Sequence, residues 1–162
     1  MRSILELAAA TYGSRPDGDD ATIPTGFDPM AARLFESIVE GAYLVATSDG
    51  VFDAEERAAF ERVVTAACGG SVAASEITSL VQDLAEQLAE DGVERRLAKV
   101  GEPLRTVDQG WEVLRIAALL AEANGEVSDV ERDILGRLAV ASRLTVGDVD
   151  RALADARAAI GR

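Results

Sequence analysis

The stretch Thr47–Glu56, TSDGVFDAEE, separates two alanine-rich apolar segments and indicates how the chain folds. Asp49-Gly50 is typical of a helix end, because glycine readily adopts the left-handed backbone that a helix C-terminus often requires. Asp53 and Glu56 follow with the spacing of a capping box, in which two side chains satisfy the free backbone amides of a helix start. The stretch therefore predicts a tight corner between two helices.

A second copy of this corner lies seventy-five residues further along the chain. Residues 41–64, GAYLVATSDGVFDAEERAAFERVV, align without a gap with residues 116–139, IAALLAEANGEVSDVERDILGRLA. Gly50 coincides with Gly125, and Glu56 with Glu131. Asp53 is replaced by Ser128, which is also a favoured helix cap. We therefore predict two copies of one helix–loop–helix unit, related by a pseudo-twofold axis, whose loops lie near each other.

The composition favours helices throughout. Of the 162 residues 48% are hydrophobic but only 4% are aromatic, so the core must consist mainly of Ala, Leu, Val and Ile. Ala and Leu have high helix propensity, and apolar residues recur at helical intervals from residue 30 onward. No segment alternates with period two for long enough to form a strand. We expect an all-α fold, a compact single-domain bundle of about seven helices.

The N-terminal part differs from the rest. Residues 2–12 predict a short helix ended by Gly13, whereas residues 14–29 contain three of the four prolines and four aspartates. Such a composition is typical of a loop or linker. We predict a short helix and a flexible linker in residues 1–29, and the helical domain in residues 30–162.

The net charge of −13 argues against two classes of partner. Nucleic-acid binding depends on cationic contacts with phosphates, and anionic membrane surfaces attract basic segments. No apolar run approaches the roughly 18 residues of a membrane span. We expect a cytoplasmic protein with protein partners, without nucleic-acid binding or membrane insertion. The sequence leaves its oligomeric state open.

The available residue types also limit the chemistry. The chain has no histidine and one cysteine, Cys68, which excludes a Ser-His-Asp triad and the usual zinc ligands. The adjacent carboxylates Glu55 and Glu56 diverge around a helix and cannot form an acid–base pair. We expect no enzymatic activity. Any bound metal should be a hard cation on oxygen ligands, such as calcium, magnesium or manganese.

Each loop contains the second half of a calcium-binding loop. Gly50 with Glu56, and Gly125 with Glu131, have the spacing of positions six and twelve of an EF-hand. Position one is aliphatic in both loops, which argues against a complete EF-hand. Two interpretations remain: the loops share one divalent-cation site, or they are only helix caps in a structural or adaptor domain that binds proteins. The candidate metal ligands are Asp49, Asp53, Glu56, Asn124 and Glu131.

With these paired loops, the sequence resembles the TerB family of tellurite-resistance proteins and related co-chaperone-type domains. The loops from Ser48 to Glu56 and from Ala123 to Glu131 carry the resemblance, which covers about residues 30–160. It implies a helical bundle whose acidic patch engages a divalent metal. It also implies a role in stress response or complex assembly rather than catalysis. Asn124 stands where the pattern has Asp, so the second loop has one negative charge fewer.

Overall fold

The structure is a computed structural model of the chain, and it describes residues 3–13, 28–50, 52–123 and 125–161. The described residues form eight helices and no strand. Their bounds are α1 Ile4–Gly13, α2 Pro29–Ala46, α3 Ala54–Ala67, α4 Ala74–Asp91, α5 Val93–Gly101, α6 Val107–Ala123, α7 Asp129–Ala141 and α8 Asp148–Ala159. The predicted all-α fold is confirmed. The described part of the chain has eight helices where about seven were expected, a minor difference.

Helices α2 and α6 form the centre of the fold. Both are buried on most of their sides, which is typical of helices inside a domain. They pack against each other more extensively than any other pair of described helices. Gly41 permits this close approach, since a Cβ at that position would lie 2.9 Å from Cγ1 of Val113. The repeated segments therefore meet along their first helices.

The two helices that follow the loops have different surroundings. Helix α7 contacts α2, α5, α6 and α8, whereas α3 packs mainly against α4. Accordingly, five residues of α7 are buried, whereas in α3 only Phe60 and Val64 are buried. The two copies thus share the same corner, while α3 lies at the periphery of the fold.

Three buried glutamates on the central helices are paired with arginines. Arg96 of α5 donates two hydrogen bonds to Glu40, at 2.6 and 2.8 Å, and Arg157 of α8 donates one to Glu122 at 2.8 Å. Glu112 accepts a hydrogen bond from Arg115 at 2.6 Å. A buried charge is costly without a partner, so these pairs allow acidic side chains to lie inside the bundle.

Helix α1 lies on the surface formed by α2 and α6. Its buried side chains, Leu5, Ala8, Ala9 and Tyr12, follow helical spacing on one face. The ring centroids of Tyr12 and Phe35 lie 4.6 Å apart. The predicted linker falls largely on residues 14–27, which lie outside the described residues. No described helix is long and apolar enough to cross a membrane.

Candidate functional site

The first loop joins α2 to α3. Gly50 has a φ of +83°, the left-handed conformation predicted for it. The Asp53 carboxylate accepts a hydrogen bond from the backbone N–H of Glu56 at 2.8 Å and caps α3. Phe52 packs edge-to-face against Tyr43 and Phe60, with ring centroids 5.6 and 6.0 Å away. The corner is held by its cap and by an aromatic cluster beneath it.

The second loop joins α6 to α7 in the same way. Gly125 has a φ of +118°. The Ser128 hydroxyl accepts a hydrogen bond from the N–H of Glu131, and Oε1 of Glu131 accepts one from the N–H of Ser128, both at 3.1 Å. The capping box predicted here is therefore complete. In the first loop, the described hydrogen bonds include only the half made by Asp53.

The two loops come together, as the repeat predicts. They enclose a cleft of about 330 Å³. The described residues that line it are Ala46, Asp49, Glu56, Glu126, Ser128 and Glu131. Four of these six side chains are carboxylates and none is basic, so the cleft is strongly acidic.

The charge of the cleft acts on Glu56. Partial burial raises the pKa of this carboxyl above its usual value, and the carboxylates of Asp53, Asp49, Glu131 and Glu55 raise it further. The effect of Glu131 crosses from the second loop to the first. Negative charges from both copies of the repeat therefore repel one another in the same small space.

The arginines that follow these glutamates in sequence bind elsewhere. Arg57 lies 3.7 Å from Glu61 and donates to the carbonyl of Thr78, and Arg132 donates to Asp150 at 2.7 Å. Neither residue lines the cleft. The two arginines therefore contribute no positive charge to the lining of the cleft.

Comparison with known families identifies the chain. The family model of tellurite resistance protein TerB matches residues 36–156, about three quarters of the sequence, including both loops. The chain belongs to the TerB family. Comparisons with curated proteins and with solved structures each gave no significant match. The TerB match begins within α2 and ends within α8, so α1 lies outside it.

The structure places the predicted metal ligands of this TerB domain in different positions. Asp49, Glu56 and Glu131 line the cleft. Asp53 caps α3 and does not line the cleft, although its charge contributes to the raised pKa of Glu56. Asn124 lies outside the described residues, so its role stays a prediction.

Glu126 lines the cleft but was not predicted as a site residue. Its counterpart in the repeat alignment is Val51, so a comparison of shared positions does not reveal it. The available signal is its place directly after the glycine bend, where a side chain can turn toward the opposite loop.

The oxygen atoms around the cleft are of the type that binds hard cations, but in the described part of the chain they are not arranged as a metal site. Carboxylate oxygens are the ligands that calcium, magnesium and manganese prefer. Among the described residues, however, no group of three or more acidic, histidine or cysteine side chains is close enough to hold a metal ion. A physical reason is that oxygens of Asp53 and Glu131 are directed to the backbone of their own helices.

Proposed function

We propose that this TerB-family chain is a non-catalytic cytoplasmic module of the tellurite-resistance or stress-response type. In this proposal it binds a divalent cation in the cleft between its loops and acts through protein partners. The observation that supports the cation is the convergence of carboxylates from both copies of the repeat around Glu56, with no basic residue among those that line the cleft. A divalent cation would replace this repulsion with attraction.

The residues that would hold the cation are Asp49, Glu56 and Glu131, with Glu126 as an additional ligand. Asp53 would act through its charge rather than by direct coordination. Because the Glu131 cap competes with coordination, we expect few direct protein ligands and several water ligands. Binding should therefore be weak, with a dissociation constant of about 1 mM, at the weak end of protein calcium sites.

Backbone NMR with calcium or magnesium as the probe tests this proposal. In wild-type protein we expect saturable shifts in residues 49–56 and 125–131. The double variant Glu56→Gln, Glu131→Gln removes two carboxylates from the cleft and should abolish them. Manganese, which broadens nearby signals, should act on the same two loops.

A matched control separates a site from general screening. Glu86→Gln with Glu90→Gln also removes two negative charges, but from exposed positions of α4, and neither residue lines the cleft. This control should retain the saturable shifts. Shifts that are spread over the surface, follow ionic strength and are equal in both double variants would overturn the cation proposal.

The completed capping box favours a second candidate function. Glu131 is already used by the start of α7, as expected if the loops serve only as helix caps. In that case the module is a metal-free adaptor whose acidic cleft binds a basic segment of a partner protein. An arginine-rich peptide would then shift residues 49–56 and 125–131 in EDTA, whereas divalent cations would not. If the peptide does not shift the signals of residues 49–56 and 125–131, this second function is refuted.

A further inference from the structure

A small cavity lies between α2, α4 and α5 and shares no lining residue with the acidic cleft. Its volume is about 240 Å³. A water molecule takes about 30 Å³ in the liquid, so the cavity has room for one organic molecule of about eight non-hydrogen atoms. The buried residues Leu80, Leu84 and Pro103 supply the apolar part of its lining. The cavity therefore has the size and the partly apolar wall of a site for a small metabolite.

The charged lining of this cavity is nearly balanced. Three of the lining residues are basic and four are acidic. They are Arg33, Arg96 and Lys99, and Glu36, Glu40, Asp83 and Glu102. An ion of one sign would meet like charges here, whereas a molecule that carries both signs can place each of them beside an opposite charge. The balance therefore favours a zwitterion over a simple anion or cation.

Most of these charges already have partners within the protein. Arg96 binds Glu40 at 2.6 and 2.8 Å, and the two side chains are 13% and 7% exposed. Lys99 lies 3.4 Å from Glu102, and Glu36 also interacts with another residue. These five groups belong to the wall of the cavity and do not need a ligand.

Arg33 on α2 and Asp83 on α4 are the two charged lining residues that remain. Both are exposed, and within the described part of the chain neither side chain has an ion pair or a hydrogen bond. Although they line the same cavity, they do not form an ion pair with each other. Two opposite charges on different helices, with a gap between them, suit a molecule that bears a carboxylate and an ammonium group.

Ser37 adds an unpaired hydroxyl to the cavity, one helical turn after Arg33. The residue is 6% exposed and lines the cavity. Its hydroxyl has no hydrogen bond among the described residues, and it is not one of their sealed unpaired polar atoms, which belong to Glu61 and Ser142. Buried polar groups are normally hydrogen-bonded. The Ser37 hydroxyl is therefore available to a ligand in the cavity.

We propose that this cavity binds a free amino acid with a small aliphatic side chain. Arg33 donates to its carboxylate, Asp83 accepts from its ammonium group, and the Ser37 hydroxyl hydrogen-bonds to it. Its side chain packs against Leu80 and Leu84. Valine is an amino acid of this size. The site does not depend on a cation in the acidic cleft, so the two proposals can fail separately.

Backbone NMR of the full-length chain in EDTA, with L-valine as the probe, tests this site. We expect saturable shifts in residues 33–40, 80–87 and 96–103, whereas residues 49–56 and 125–131 should not shift. Isobutylamine lacks the carboxylate of valine, and isovalerate lacks its ammonium group. Each should bind about five- to tenfold more weakly than L-valine, because it loses one charged hydrogen-bonding group. Equal binding of all three molecules, or no saturable shift up to the solubility limit of valine, would overturn the proposal.

Single substitutions test the three groups that would hold the amino acid. Arg33→Gln and Asp83→Asn should each weaken L-valine binding about five- to tenfold. Ser37→Ala should weaken it about fivefold, yet it should unfold in urea at or above the wild-type midpoint, because the hydroxyl has no described partner to lose. The controls Arg62→Gln and Glu86→Gln each remove one charge from an exposed position outside the cavity and should bind L-valine like wild type. Wild-type affinity in Arg33→Gln or Asp83→Asn, or an equal loss in the controls, would contradict the assignment of this site.

Discussion

Replacement of Glu112 by alanine tests whether a buried carboxylate holds α1. The substitution removes the acceptor of the Leu5 N–H. An unsatisfied buried donor costs about 1–3 kcal/mol, and loss of a negative charge at a helix start costs about 0.3–1 kcal/mol. The ion pair with Arg115 adds little, because Arg115 is 46% exposed. We expect the free energy of unfolding to fall by about 2–3 kcal/mol. For a chain of this size, Tm should fall by about 4–12 °C.

Urea and thermal unfolding measure this loss, and two further variants identify its cause. Glu112→Gln keeps an acceptor but loses the charge, so it should be destabilised by about 1 kcal/mol or less. Arg115→Ala removes the half-exposed partner and should also cost about 1 kcal/mol or less. Amide hydrogen exchange at Leu5 should be faster in Glu112→Ala than in either of these. A wild-type unfolding midpoint for Glu112→Ala, or an Arg115→Ala variant as unstable as Glu112→Ala, would contradict a role of the Glu112 carboxylate in holding α1.

Further substitutions test the loops and their charges. Ser128→Ala should lower the free energy of unfolding by about 1 kcal/mol in EDTA. Asp53→Ala should lower the free energy of unfolding by less, because the change also relieves the repulsion on Glu56. If Ser128→Ala and Asp53→Ala both unfold in urea at the wild-type midpoint, the two side chains do not act as helix caps. The raised pKa of Glu56 means that its ionised form opposes folding above the folded-state pKa. Glu56→Gln should therefore stabilise the protein at neutral pH, and the difference should vanish below the unfolded-state pKa. Hydrogen bonds from the backbone and hydroxyl of Thr145 lower the pKa of Asp148, so its charge stabilises the fold above the unfolded-state pKa. Asp148→Asn should be less stable than wild type at neutral pH, and the difference should disappear as pH falls through the folded-state pKa. Urea midpoints measured from acidic to neutral pH should show opposite signs for these two variants, and equal signs would contradict the electrostatic account.

Local features of the two corners were predictable from the sequence. The positive φ of Gly50 and Gly125 and the caps made by Asp53 and Ser128 were all expected. Such features depend on backbone conformations and hydrogen bonds within a few residues, so the local sequence contains the information for them. The helical class followed equally from composition and periodicity. The meeting of the loops, although non-local, was visible through the repeat.

The directions and burial of individual side chains were decided by the tertiary structure. Glu126 and Glu131 both line the cleft, but Glu131 also directs one oxygen back to the start of its own helix, although in the sequence both are acidic residues of the same corner. Glu112 resembles any helix-surface carboxylate until α1 docks and brings Leu5, 107 positions away in sequence, against it. The sequence by itself therefore determined the helices, their caps and the repeated corner. Packing decided which carboxylates face one another and which are neutralised, because burial and electrostatic coupling arise only when distant segments come within a few ångströms.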